Sequence, residues 1–247
     1  MRDYQLSFIS NQDIYNHVKL TVEKYKFQID LAEFFKNLPD PIKLTFDTRV
    51  YQREIELVIE SEVLRQIDKS NTNHIGYFHQ NIFRYIGEGW EVPDQGYDLI
   101  NGELQYFIEI KNKHNTMNSS SAQKTYMRMQ NTLLSNPNAT CMLVEVIARK
   151  SQNTPWRISL DHQSVSNERI RRVSMDKFYE LVTGDPLAFK KLCEKLPRII
   201  QDVVEDGNSP ADANSVVRQL KDIDSNLLKS IYLISFRTYE GFDNFNV

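Results

Sequence analysis

The sequence predicts an α/β fold in which a mixed central β-sheet is flanked by helices, with additional helices at both ends. Two observations carry that expectation. The apolar-rich runs Gly96 to Ile100 and Leu104 to Ile110 flank Asn101-Gly102. That dipeptide favours the φ > 0 conformations of tight hairpin turns, so two antiparallel strands are expected. Thr140 to Ala148 (TCMLVEVIA) is a short apolar run of the kind buried at the centre of a sheet, and a helical stretch from Ser119 to Leu134 separates it from the hairpin. With 247 residues and 40% apolar content the chain is long enough to bury a substantial core. It reads as one domain: residues 1–45 a helical N-terminal extension, 46–173 the core, and 174–247 a mainly helical C-terminal part with a final strand.

Each element has its own signal. Residues 1–45 mix short helical patterns with a break at Leu38-Pro39-Asp40-Pro41, and Phe27, Ile29, Leu31, Phe34, Phe35 and Leu38 offer an apolar face. From Asp47 to Lys69 a helix is expected, capped by Asp47 or Thr48, with Val50, Leu57, Val58, Leu64 and Ile67 near helical spacing. Glu54, Glu56, Glu60 and Glu62 read as its solvated face. Ser70 to Asn73 reads as a break, followed by a helix from His74 to Ile86, with His79 a polar residue packed near the hairpin. Ser135-Asn136-Pro137-Asn138 ends the helix after the hairpin. Beyond the buried strand come a loop (Arg149 to Pro155), a short strand (Trp156 to Leu160) and a basic segment (Asn167 to Val173). Helices are expected from Ser174 to Leu181 and from Pro186 to Glu205, with Pro186 in a first turn and Pro197 a kink or split. Gly207 to Asn214 reads as a surface loop, Ser215 to Lys229 as a helix, and Ile231 to Thr238 as an alternating strand.

Composition narrows the partners. No apolar run approaches the roughly 18 residues of a membrane span, and the N-terminus begins no apolar signal segment, so the expectation is a soluble, cytoplasmic protein without a membrane partner. The two cysteines, Cys141 and Cys193, lack CxxC spacing, which points to neither a disulfide framework nor a zinc ribbon. Net charge is -3, yet residues 111–173 hold ten basic residues against three acidic ones. That polarity suits a protein presenting one face to a phosphate backbone.

The chemistry concentrates in the hairpin. The strand period of two puts Phe107, Glu109 and Lys111 on one face and Ile108 and Ile110 on the other. Glu109 is the only acidic residue of the chain followed two positions later by Lys. Hydrolysis of a phosphodiester calls for a divalent cation, and hard cations such as Mg²⁺ take carboxylate oxygens. A preceding strand acid and Glu109 would supply them, while Lys111 would orient the attacking water and stabilise developing charge. The register leaves the first acid open. A strict two-residue turn at Asn101-Gly102 sets Asp94 opposite Glu109 and Asp98 about 13 Å along the ladder, at roughly 3.3 Å per residue. A wider loop over Asn101 to Tyr106 brings Asp98 opposite Glu109 instead.

Asp98 followed by Glu109-Ile110-Lys111 resembles the motif of the PD-(D/E)XK nuclease superfamily. The resemblance aligns Asp98, at the head of Asp98-Leu99-Ile100, with the superfamily's acid, and Asp94 stays as the alternative. It implies a restriction-endonuclease-like core with Asp98 and Glu109 as metal ligands and Lys111 as the third catalytic residue. Upstream, Gly76-Tyr77-Phe78-His79-Gln80 resembles the Gly-x-x-x-Glu-like element, with Gln80 standing where the superfamily has Glu, which limits it to a supporting role. The runs GYFHQNIF, GWEVPDQGYDLIN and EIKNKHNTMNSSS, between Gly76 and Ser121, resemble type II restriction endonucleases that cut short pseudopalindromic GGNCC or GGWCC sites. That resemblance implies a Mg²⁺-dependent enzyme acting on double-stranded DNA as a homodimer, one active site per strand.

Lys113, His114, Asn115 and Asn118 are candidates for DNA contacts just beyond the strand, since Asn and Lys types reach base edges or phosphates. Arg149, Lys150, Arg169, Arg171 and Arg172 are candidate phosphate binders. Two other readings remain: a structure-selective or repair nuclease on the same core, and a catalytically inactive DNA-binding protein. The five His residues form no zinc-ligand pattern.

Overall fold

The computed structural model describes residues 2–114, 116–160, 162–207 and 215–236. In chain order these form α1 (Asn11–Val22), α2 (Leu31–Lys36), α3 (Pro41–Val50), α4 (Ile55–Asn81), a 3₁₀ turn (Ile82–Arg84), β1 (Trp90–Glu91), β2 (Leu99–Asn101), β3 (Tyr106–Lys113), α5 (Ser119–Ser135) and β4 (Thr140–Ile147). There follow β5 (Asn153–Pro155), β6 (Ile158–Leu160), β7 (Gln163–Val165), β8 (Ile170–Ser174), α6 (Met175–Thr183), α7 (Ala188–Asp206), α8 (Val216–Lys221) and α9 (Leu227–Ser235). The chain divides into two compact units. One comprises Met1–Glu23 and Ile75–Gly207, the other Lys24–His74 and Asn208–Val247.

The first unit holds a mixed six-stranded sheet in the order β1-β2-β3-β4-β8-β5. β3, β4 and β8 run parallel, and the outer pairings are antiparallel. β4 is buried from Cys141 to Glu145 because it lies between β3 and β8 with both faces covered. On one face Leu99, Ile108, Ile110, Met142, Val144 and Val173 pack with Ile14, Val18, Phe178, Tyr179, Leu192 and Ile199, residues of α1, α6 and α7. Opposite, Cys141, Leu143 and Ile170 pack with Tyr126 and Met129 of α5 and with Trp156. The residues before α1 enter the first of these cores through Tyr4, Leu6 and Ile9. Residues 1–45 are divided between the two units, those from Lys24 onward belonging to the second.

The hairpin register decides where the chemistry sits. Leu99 pairs with Ile108, Ile100 with Phe107 and Asn101 with Tyr106. The connecting loop is thus Gly102 to Gln105, wider than a two-residue turn. Asn101 ends β2 instead of forming the turn's centre: its side chain accepts from Leu104 N at 3.0 Å and donates to Glu88 O at 2.8 Å. Gln105 takes the positive φ, at 55°. Continuing this register places Asp98 opposite Glu109.

The described part of the second unit is helical, built around Phe34, Leu44, Ile59, Val63, Val216, Leu220, Leu227 and Ile231. Asp40 caps α3 by accepting from Ile42 N and Lys43 N, with Pro41 in the first turn. The single helix expected from Asp47 to Lys69 is split: α3 ends at Val50 with Asp47 and Thr48 inside it and capping nothing, Gln52 takes a positive φ of 50°, and α4 begins at Ile55. The expected break at Ser70 to Asn73 is absent and α4 runs through it. Asn71 spends its side chain on Lys26 N (2.8 Å) and Lys26 O (3.0 Å), so it does not compete for its own helix's backbone. Glu62, expected on a solvated face, is buried and held by Arg65 at 2.6 Å and Gln66 at 3.1 Å.

The C-terminal end differs from the sequence expectation. Two helices, α8 and α9, replace one helix and a final strand, and Asn226 caps α9 by accepting from Lys229 N at 3.1 Å. Leu227, Leu228 and Ile231 are buried at helical spacing. Residues 237 and 238 of the expected strand, and 208–214 of the expected loop, lie outside the described residues. Arg149 to Pro155, expected as loop, contributes β5, and Asn167 to Val173 supplies most of β8. Pro197 sits inside α7 without splitting it. Among the described residues no helix is long and apolar enough to cross a membrane.

Candidate active site

Asp98, Glu109 and Lys111 come together on one face of the β2–β3 pair. Asp98 N donates to Ile108 O at 2.9 Å, and the Asp98 carboxylate accepts from Ile110 N at 2.7 Å. The backbone thus holds this acid beside the Glu109–Lys111 strand. Glu109 is only 8% exposed. Its Oε1 accepts from Lys111 Nζ at 2.6 Å and its Oε2 from Arg128 Nη2 of α5. Arg128 also donates to Gly96 O at 2.7 Å and lies over the Tyr97 ring, 4.6 Å from its centroid. Burial, and next the Glu109 charge, hold the Asp98 carboxyl above its ordinary value, against the pull of the Ile110 N–H, Lys111 and Arg128.

Two carboxylates crowded on one poorly hydrated face, supplying only oxygen donors, fit a hard divalent cation. Asp98 and Glu109 are the residues that would hold it. Among the described residues no cluster of three or more His, Cys, Asp or Glu side chains is placed to bind a metal. A two-carboxylate site suits a cation that keeps several waters.

The other candidates fall in different places. Asp94 is exposed in the loop between β1 and β2, four residues before Asp98. Gln80 is half-buried near the end of α4, and no hydrogen bond joins it to Asp98, Glu109 or Lys111 among the described residues. Lys113 is exposed at the end of β3, while Asn118 caps α5 by accepting from Ser121 N at 2.8 Å. Asn115 lies outside the described residues.

The five basic candidates do not form one patch. Arg149 and Lys150 are exposed just past β4, beside the end of β3 that carries Lys111 and Lys113. Arg169 stands before β8 and bonds Asn138 O at 2.8 Å, at the opposite end of the sheet, about 16 Å from Glu145 by strand rise. Arg171 is on the opposite face from Arg172 and is spent on Asn153, at 2.5 and 2.6 Å. Arg172 is paired with Glu145, which is 1% exposed and sits beside Lys111 on β4. Arg172 also approaches His114 Nδ1 at 2.8 Å, and Arg149 Nε approaches His114 Nε2 at 2.7 Å. A neutral imidazole accepts at one nitrogen only, so this group has a surplus of donors.

Arg128 and Glu145 were not singled out from sequence. Arg128 is 19 residues from Glu109 on a different element. Glu145 had a signal: it is the one charge within the apolar run of a central strand, which implies a buried partner.

A mixed sheet flanked by helices, with an acid opposite a Glu-x-Lys strand, is the restriction-endonuclease-like fold. The chain belongs to the Eco47II restriction endonuclease family, whose model matches residues 6–205. It is 33% identical over 218 residues to the type II restriction enzyme Sau96I of Staphylococcus aureus, covering 83% of each chain. To the type II restriction enzyme Eco47II of Escherichia coli it is 32% identical over 232 residues, covering 86% of this chain and 96% of that one. Its activity is accordingly that of a type II site-specific deoxyribonuclease, with DNA as substrate and a divalent metal as cofactor.

Proposed function

We propose that the enzyme hydrolyses double-stranded DNA in a Mg²⁺-dependent reaction at a short pseudopalindromic site of the GGNCC or GGWCC type. The observation that carries the reading is the grouping of Asp98, Glu109 and Lys111 on one buried-edged face of β2 and β3. Asp98 and Glu109 would hold Mg²⁺, which would supply neutralisation of the phosphate and activation of water. Lys111 Nζ donates to the attacking water or to the phosphate oxygens, steering attack and stabilising charge as the P–O bond breaks. Arg149, Lys150 and Lys113, exposed at that end of the sheet, meet the DNA backbone, with His114 and Asn118 near the base edges and Asn115 a further candidate on sequence grounds alone.

A near-palindromic site with one cut per strand is matched by two identical active sites, so the working form is a homodimer, acting on cytoplasmic DNA. Digestion of a plasmid of known sequence with Mg²⁺, followed by mapping of the ends, tests this. Cuts confined to GGNCC-type sequences are expected. Cleavage at branches or damage regardless of sequence, or full activity in chelator, would overturn it.

A further inference from the structure

We propose that Arg128 is the internal counter-ion of the Glu109 carboxylate, a latch that must release this acid before the acid can hold a divalent cation. The inference rests on the reading that Asp98 and Glu109 are the metal ligands. Both Glu109 oxygens are occupied, one by Lys111 Nζ and the other by Arg128 Nη2. Each oxygen thus has one lone pair directed at a cationic N–H, and a divalent cation must compete with both charges for this carboxylate. The guanidinium is a cationic donor, so a divalent cation takes full hold of that oxygen only as the guanidinium is displaced from it.

Arg128 is built to let go, in a way that Lys111 is not. Lys111 is fixed two residues from Glu109 on the same strand, whereas Arg128 reaches across from α5 with supports of its own. Its Nη1 donates to Gly96 O at 2.7 Å and its guanidinium rests on Tyr97. Those contacts survive the loss of Glu109, and a side chain 37% exposed lets water replace the broken bond. Its Nε is buried without a partner, so the present arrangement leaves the guanidinium incompletely satisfied.

The test is Mg²⁺ binding to the full-length, DNA-free protein by isothermal titration, with the Mg²⁺-induced rise in Tm measured in parallel. Arg128→Gln is expected to bind Mg²⁺ about tenfold more tightly than wild type, the equivalent of one charge-assisted hydrogen bond removed from the competition. Its Tm should be lower without metal and rise further with it. Arg128→Lys, which keeps the charge but loses the fork, should fall between the two, and it carries the test if Arg128→Gln does not fold. Unchanged or weaker Mg²⁺ affinity in a folded Arg128 variant, including no detectable binding in variant and wild type alike, overturns the latch and leaves Arg128 only ordering Glu109. Glu109→Gln and Asp98→Asn separate the two levels. If both bind Mg²⁺ as wild type does, the metal-ligand reading fails. If both lose binding while Arg128→Gln does not gain it, the latch alone fails.

Discussion

Replacing Arg172 with Met asks whether the charge beside β3 is a DNA contact or a structural one. Glu145 is 1% exposed and its Oε1 is held by Arg172, while its Oε2 is buried without a partner. In the variant the nearest remaining cation would be His114, whose Nδ1 is 3.9 Å from Glu145 Oε1 and is charged only when protonated. Breaking one side of such a buried pair costs about 3–5 kcal/mol, because it strands the other charge out of water. For a chain of this size that is roughly 6–20 °C in Tm, at about 2–4 °C per kcal/mol. Urea and thermal denaturation of wild type, Arg172→Met, Glu145→Gln and the double variant measure it. The double variant, with no stranded charge, should recover at least half of the loss. A cost below about 1 kcal/mol for Arg172→Met, or a double variant as unstable as the single, would show that the pair is not what holds this end of the sheet.

Two further predictions concern charge elsewhere. His79 is half-buried with its Nδ1 shut off from solvent, and burial pushes its pKa down to about 4. Above about pH 6.5 it is neutral folded and unfolded; between there and about pH 4 only the unfolded chain takes the proton, so acid should reduce stability by up to about 3 kcal/mol through this group. His79→Phe should flatten that acid slope, and identical slopes in denaturation curves from pH 7 to 4 would refute the assignment. On DNA, Arg149→Gln/Lys150→Gln should make the dependence of log K on log salt shallower by up to about 0.9 per contact, and Arg169→Gln/Arg171→Gln should leave it unchanged. The opposite pattern in affinities measured across several salt concentrations would move the DNA to the other end of the sheet.

The sheet's centre was legible because burial leaves a periodic trace. Thr140 to Ile147 lies between two strands and is apolar almost throughout, and Glu109 and Lys111 alternate cleanly with Ile108 and Ile110. Asn101-Gly102 was ambiguous because Asn101 serves a tertiary bond to Glu88, which no local rule registers. Asn71 misled in the same way, a polar residue engaged across space and not breaking its helix. The short run IYLISF carries a strand-like alternation that also satisfies a helical face once Asn226 caps it, and six residues cannot separate the two periods. The basic segment was visible as composition, but β8 sends Arg171 and Arg172 to opposite faces, so charge close in sequence is divided in space. Arg128 reaches Glu109 only through the packing of α5 on the sheet.

The central claim is that Asp98, Glu109 and Lys111 form the hydrolytic centre, with Asp98 and not Asp94 opposite Glu109. Single-turnover cleavage of a duplex carrying the mapped site tests it directly, with Mg²⁺ and with DNA binding measured alongside. Asp98→Asn, Glu109→Gln and Lys111→Ala should each bind the duplex and each lose about a thousandfold or more in rate, the scale set by removing a metal ligand or a charge-stabilising donor. Asp94→Asn, exposed and four residues away, should cleave within about threefold of wild type. An inactive Asp94→Asn beside an active Asp98→Asn, or near wild-type rates in Glu109→Gln or Lys111→Ala, would contradict the account.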